Sequence, residues 1–187
     1  MPANEYHFVT RWRVEAAPDE VFALLDDPAD LVRWWPSVYL DVCVAEPGDE
    51  NGVGALVELY TKGWLPYTLR WRFRVREKRP PVHLAIEALG DFVGRGVWTL
   101  SPAGTGTEVV YDWRIRAEKP LLRALSFALK PLFAANHHWA MDRGEESLRL
   151  ELARRHAPTA EARARVPAPP APTPSSPLRW LRAVVSG

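Results

Sequence analysis

A chain of 187 residues has room for one domain and a tail. Its hydrophobic content of 47% supports a sizeable core, and a formal net charge of +1 excludes a binder of nucleic acid or anionic membrane driven by its overall field. The single cysteine, Cys43, excludes an internal disulfide and a cysteine-cluster metal site. The N-terminal run MPANEYHFVTRWRVE lacks a signal-peptide pattern, and no stretch reaches transmembrane length, so a soluble cytoplasmic protein is expected. Nine tryptophans are many for this length; each brings large apolar area and one polar handle, which suits cores and ligand cavities alike.

Taken in order, Tyr6–Ala16 reads as a first strand, with Phe8, Thr10, Trp12 and Val14 alternating with more polar neighbours. Ala17-Pro18-Asp19-Glu20 starts a short helix, with proline and acids in its first turn. A second short helix, Ala29–Trp34, ends before Trp35-Pro36. Strands follow at Val38–Glu46, Gly54–Thr61, Tyr67–Lys78, Val82–Leu89, Phe92–Leu100 and Thr107–Ala117, separated by Gly, Pro and Asp turns. Tyr67–Lys78 has the clearest alternation: Tyr67, Leu69, Trp71, Phe73 and Val75 on one face, Arg70, Arg72, Arg74 and Arg76 on the other. Thr107–Ala117 repeats it, with Val109, Tyr111, Trp113 and Ile115 opposite Glu108, Asp112, Arg114 and Arg116.

After Lys119-Pro120, Leu121–Leu129 reads as a short helix that Lys130-Pro131 breaks or kinks. The chain's longest helical pattern comes next, from Pro131 to about His156. Phe133, His137, Ala140, Met141, Gly144, Leu148 and Leu152 share its apolar face. From Ala157 the composition changes. Ala157–Pro177 carries seven prolines and is expected to be an extended, disordered linker. Leu178–Val185 ends the chain as a short amphipathic peptide. Leu178, Trp180 and Leu181 could touch a membrane surface, although eight residues are too few for a stable isolated helix. The division is therefore a folded domain over 1–156 and a tail over 157–187.

These elements make an α+β architecture: a curved antiparallel sheet of about seven strands, two short helices after strand one, and a long C-terminal helix covering the aromatic face. The order of elements, with Ala17-Pro18-Asp19-Glu20-Val21-Phe22, Leu31-Val32-Arg33-Trp34-Trp35-Pro36, Thr99-Leu100 and Thr107-Glu108-Val109, resembles the START-like helix-grip superfamily. That superfamily is also described as polyketide cyclase/dehydrase and lipid-transport proteins (SRPBCC). The resemblance covers about Tyr6 to Arg155 and rests on fold signatures, none of them catalytic. It implies a cavity for an apolar ligand between sheet and last helix: a lipid, isoprenoid or polyketide-like molecule. It also implies two alternatives, a polyketide aromatase/cyclase or dehydratase and a non-catalytic interaction module.

The expected ligand-binding residues are Tyr67, Trp71, Phe73, Trp98, Tyr111, Trp113, His137, Met141 and Gly144. A plain aromatic core explains the same rings equally well. His137 and Tyr111 are the candidate polar actors: His137 as a hydrogen-bond partner or acid/base, or else a core-edge histidine bonded to a strand backbone. Gly144 costs helix stability and calls for a close neighbour, a ligand or a packed ring. Glu58 and Arg95 have ambiguous register, and either would matter if it faced inward. His138, Asp142 and Glu145 share a helical face, but no second element supplies ligands, so no metal is expected. No cofactor is expected. The arginine row belongs to a solvated face rather than a nucleic-acid site, because the aromatics point the other way.

Overall fold

The computed structural model describes residues 4–174, without the side chains of 121–127 and 129. Leu178, Trp180 and Leu181 lie outside the described residues.

Seven antiparallel strands form one curved sheet: β1 Glu5–Val14, β2 Tyr39–Glu46, β3 Leu56–Lys62, β4 Thr68–Arg79, β5 His83–Gly90, β6 Phe92–Ala103 and β7 Gly106–Ala117. Their order is β1-β7-β6-β5-β4-β3-β2, so the first strand returns beside the last and β2 forms the far edge. Helix α1 (Pro18–Leu25) follows β1. A 3-10 turn over Pro28–Asp30 then leads into α2 (Leu31–Trp34). Pro18 sits in the first turn of α1, and Glu20 Oε2 accepts a hydrogen bond from the Ala17 N–H at 3.1 Å.

Period-two alternation survives into the folded sheet. Leu69, Trp71 and Val75 of β4 are buried while Arg70, Arg72 and Arg76 are exposed. The outer arginines meet acids from other strands, Arg76 with Glu87 of the adjacent β5 and Arg74 with Glu46 of β2, across β3. Glu58 and Arg95 both belong to this outer face: Glu58 is exposed opposite Arg72, and Arg95 pairs with Glu77 at 2.9 Å. Neither charge enters the core. Curvature needs close backbone approach where β6 crosses β7. Gly94 adopts φ +155°, and a Cβ there would overlap the Arg114 carbonyl.

The sheet's concave face is closed by α3, which runs unbroken from Pro120 to His156. Of the break or kink expected at Lys130-Pro131, the break does not occur. Pro131 lies inside the helix, although its missing N–H and its ring disfavour that position by roughly 3 kcal/mol. Met141, Leu148 and Leu152 bury the helix face against the sheet and the two short helices. Packing of that face is what outweighs the local cost of Pro131.

The segment after α3 also departs from expectation. Ala160–Arg165 forms a short helix, α4, capped by Thr159 Oγ1 accepting from the Ala162 N–H at 3.1 Å. The proline-rich chain beyond it lies back on the domain. Arg154 donates to the Pro167 carbonyl at 2.9 Å, and Thr173 Oγ1 donates to the Gly63 carbonyl at 3.1 Å. Polyproline stiffness limits the entropy lost on ordering such a segment, so a few anchors can hold it.

Candidate functional site

Large aromatic residues on β4, β6 and β7 meet one another across the concave face. Trp98 stacks on Tyr111 with ring centroids 3.9 Å apart, Tyr111 stacks on Trp113 at 5.5 Å, and Trp71 tilts against Trp113 at 5.7 Å. Gly96 makes this possible, since a Cβ there would meet the Tyr111 hydroxyl and the Trp113 ring. Ring pairs of this kind contribute about 0.5–1.5 kcal/mol each beyond their buried area.

The rings do not fill the space under α3. A cavity of about 160 Å³ remains. Sheet residues Thr61, Leu69, Trp71, Phe73, Trp98, Tyr111 and Trp113 form its floor. Phe133, Asn136, His137, Ala140 and Met141 of α3 form its roof, and Trp35, Val38 and Tyr39 close one end. Tyr67, Lys62 and Gly63 stand at the β3–β4 turn. A dry cavity of about 150 Å³ accepts benzene, whereas drug-sized ligands occupy pockets of roughly 300–1,000 Å³. A cavity of this volume therefore suits a compact molecule.

Of the residues expected to contact a ligand, Tyr67, Trp71, Phe73, Trp98, Tyr111, Trp113, His137 and Met141 all line this cavity. Gly144 does not. It lies behind the wall, where a Cβ would overlap the six-membered ring of Trp35. Trp35, Tyr39, Phe92 and Asn136 also line the cavity and were not singled out by the sequence. Trp35 and Tyr39 follow the short helices, where no period marks the inward face. Asn136 was hidden by its polarity next to the apolar stripe.

The polar groups of the cavity are mostly committed. Trp71 Nε1 donates to Thr61 Oγ1 at 3.0 Å. Asn136 Oδ1 accepts from the Leu65 N–H at 3.0 Å, and its Nδ2 reaches the Tyr67 hydroxyl at 3.4 Å. The His137 ring stacks on Phe8, centroid to centroid 4.0 Å, and its Nε2 is buried without a hydrogen-bond partner among the described residues. It is not the backbone-bonded histidine considered from the sequence. Burial, assisted by the neighbouring His138, lowers its pKa to about 3, so the ring is neutral around neutral pH. Burial raises the phenols of Tyr39, Tyr67 and Tyr111 above their ordinary value, which keeps them as O–H groups.

Outside the cavity, His138, Asp142 and Glu145 do not assemble a site. Glu145 accepts from the Arg13 N–H at 3.0 Å and pairs with Arg149. Among the described residues no cluster of His, Cys, Asp or Glu could hold a metal ion. No helix among them is long and apolar enough to cross a membrane.

Comparison with known proteins extends these observations. A family model described as polyketide cyclase / dehydrase and lipid transport matches residues 6–152. No curated protein matches the chain significantly. A solved structure from Thermus thermophilus is similar at 19% identity and a TM-score of 0.62, covering 76% of this chain and 97% of that one. An aromatase/cyclase from Streptomyces sp. R1128 is similar at 17% identity and a TM-score of 0.61, covering 81% and 95%. A di-domain aromatase/cyclase of the BE-7585A biosynthetic pathway matches at 13% identity and a TM-score of 0.59, covering 90% of this chain and 52% of that one. At these identities the likeness is one of fold.

Proposed function

The chain belongs to the polyketide cyclase / dehydrase and lipid transport family, and we propose that it binds and carries a compact hydrophobic molecule between the sheet and α3. The observation that carries this reading is the cavity itself. Four tryptophans, Trp35, Trp71, Trp98 and Trp113, line about 160 Å³ of largely apolar space. Native-like packing leaves few voids larger than a water molecule, so a void of this size under so many large rings is a feature that a ligand would fill.

A cyclase or dehydratase reading draws on His137 and Tyr111, which share the cavity. Burial argues against it, because it disfavours the charged form of both groups. A histidine with a pKa of about 3 is a weak base at neutral pH, and a phenol raised above its ordinary value is a weak acid. Binding is therefore the primary reading.

Native mass spectrometry of the protein purified from its own host tests it directly, together with tryptophan-fluorescence titration against apolar compounds of graded size. A co-purifying small molecule, or quenching by compact members of the series, supports the reading. A bare protein with unresponsive tryptophans rejects it. If catalysis accompanies binding, His137→Ala and Tyr111→Phe spare affinity and abolish turnover.

A further inference from the structure

Among the described residues lining the cavity there is no aspartate or glutamate, and with His137 neutral the one ionic side chain among them is Lys62. Lys62 is 2% exposed. Its ammonium donates to the carbonyl of Thr173, and among the described residues it pairs with no carboxylate. Burial lowers its pKa, as expected for a cation withdrawn from water without an opposite charge. A buried ammonium satisfied by one neutral carbonyl is under-compensated, because three donors and a full charge face a single dipole.

The carbonyl that Lys62 holds comes from the proline-rich segment after α4. The same residue anchors that segment a second way, through Thr173 Oγ1 on the carbonyls of Gly63 at 3.1 Å and Trp64 at 3.3 Å. Thr173 thus lies across the β3–β4 turn, beside two lining residues, Lys62 and Gly63. Nothing in the fold of the sheet demands this contact. It places a removable acceptor on the one charged group among the described lining residues.

Resting on the binding function proposed above, we infer that the cavity's ligand carries an acidic head, a carboxylate or phosphate, which takes the place of the Thr173 carbonyl on Lys62 as the strap over 166–174 lifts. The apolar body then occupies the aromatic cavity and the head lies at the β3–β4 turn. An ion pair replaces an ammonium–carbonyl bond, and that exchange offsets the loss of the strap's own hydrogen bonds. Lys62 is on this view the specificity-determining residue, and Thr173 holds the closed form.

The test uses the full chain and three probes of equal chain length: octanoate, octyl phosphate and octanol, titrated by tryptophan fluorescence. Octanoate or octyl phosphate binds about tenfold or more tightly than octanol, and whichever acid wins identifies the head. Lys62→Met removes that preference, so that acid and alcohol bind alike; Lys62→Arg keeps the preference, which separates charge from packing. Thr173→Val loosens the strap, so affinity for both acid and alcohol rises several-fold while their ratio stays. Equal affinity for acid and alcohol, or a preference that survives Lys62→Met, overturns the inference and leaves the binding function standing. Unchanged affinities in Thr173→Val overturn the role of the strap. Failure of all three probes to bind counts against both this inference and the proposed binding of compact apolar molecules.

Discussion

Trp35 stands edge-on against Gly144, with no room between them for a methyl group: a Cβ on Gly144 would overlap Trp35 Cζ2. The indole is also held by Trp12 at 5.5 Å, Trp34 at 5.5 Å and Tyr39 at 5.2 Å, so it has no easy retreat. Gly144→Ala gains about 1 kcal/mol of helix propensity, and overpacking a rigid ring costs about 1–3 kcal/mol. The overlap is severe, so the variant is expected to lose about 1–2 kcal/mol overall. Trp35 lines the cavity, so its displacement also shrinks the ligand space. Urea denaturation of Gly144→Ala, Trp35→Phe and the double variant checks this. The double variant recovers part of the loss if the two residues act through this contact.

The Trp35–Gly144 pair also shows where reading from sequence stops. Alternation along β4 and β7 declared the inward aromatics directly, because a strand repeats every two residues and one face is wet. Eight of the nine residues expected at the ligand were placed in the cavity wall by that rule and by the period of the last helix. The cost of Gly144 announced a close neighbour, but its partner comes from another element far along the chain, and no local period encodes such a pairing. Tyr39 was missed because no period runs where the chain leaves the short helices, and Asn136 because its polarity set it apart from the apolar stripe. Pro131 misled in the opposite direction: local propensity predicted a break or a kink, and tertiary packing of α3 carries the helix through without a break. In the tail, composition signalled an extended chain, but the anchors at Pro167 and Thr173 are tertiary contacts that composition does not carry.

Glu151 gives the clearest pH dependence. Its side chain is buried in α3, and that burial works against ionisation. Hydrogen bonds from Arg33 at 2.7 and 2.8 Å, from Arg155 at 3.0 Å and from Arg154 at 2.9 Å outweigh it. The carboxyl is held at about 2 instead of the ordinary 4.5. A carboxylate with a depressed folded-state pKa stabilises the fold above its unfolded value, and that contribution is lost as pH falls from about 4.5 toward 2. Glu151→Gln leaves three cations around a neutral amide. It is expected to cost about 2–3 kcal/mol at neutral pH, less than a fully enclosed pair because Arg33 and Arg155 are about half exposed. Stability measured against pH checks the sign: the variant's curve is flatter than the parent's between about pH 4.5 and pH 2.

His137 moves the other way, since it is a base whose folded pKa is lowered. The unfolded chain takes up a proton near 6.5 and the folded chain only near 3. Its effect is therefore to reduce stability progressively as pH falls below about 6.5, with no effect above that. Its ring signals are expected to stay constant in NMR titrations from pH 8 to pH 5. His137→Phe keeps a ring against Phe8 and removes the buried, partnerless Nε2. That variant is expected to match or exceed the parent's stability by up to about 1 kcal/mol, and its stability falls less steeply in acid.

The β3–β4 turn supplies the last prediction, because one side chain both fills it and satisfies it. Gly63 faces the Asn136 amide so closely that a Cβ would overlap Oδ1, Nδ2 and Cγ. The same Oδ1 accepts the buried N–H of Leu65. Gly63→Ala must push the amide aside, which strips Leu65 of its acceptor and costs about 1–3 kcal/mol. Asn136→Ala removes that acceptor outright and costs a similar amount, since the N–H is again left unsatisfied. The two losses are one loss, so the double variant is expected to be no less stable than Asn136→Ala alone. Additive losses in a double-mutant cycle would instead mean that Gly63 acts through the turn's backbone and independently of Asn136. Hydrogen exchange at Leu65 distinguishes the cases directly: its amide loses protection in both single variants if the shared bond is the cause.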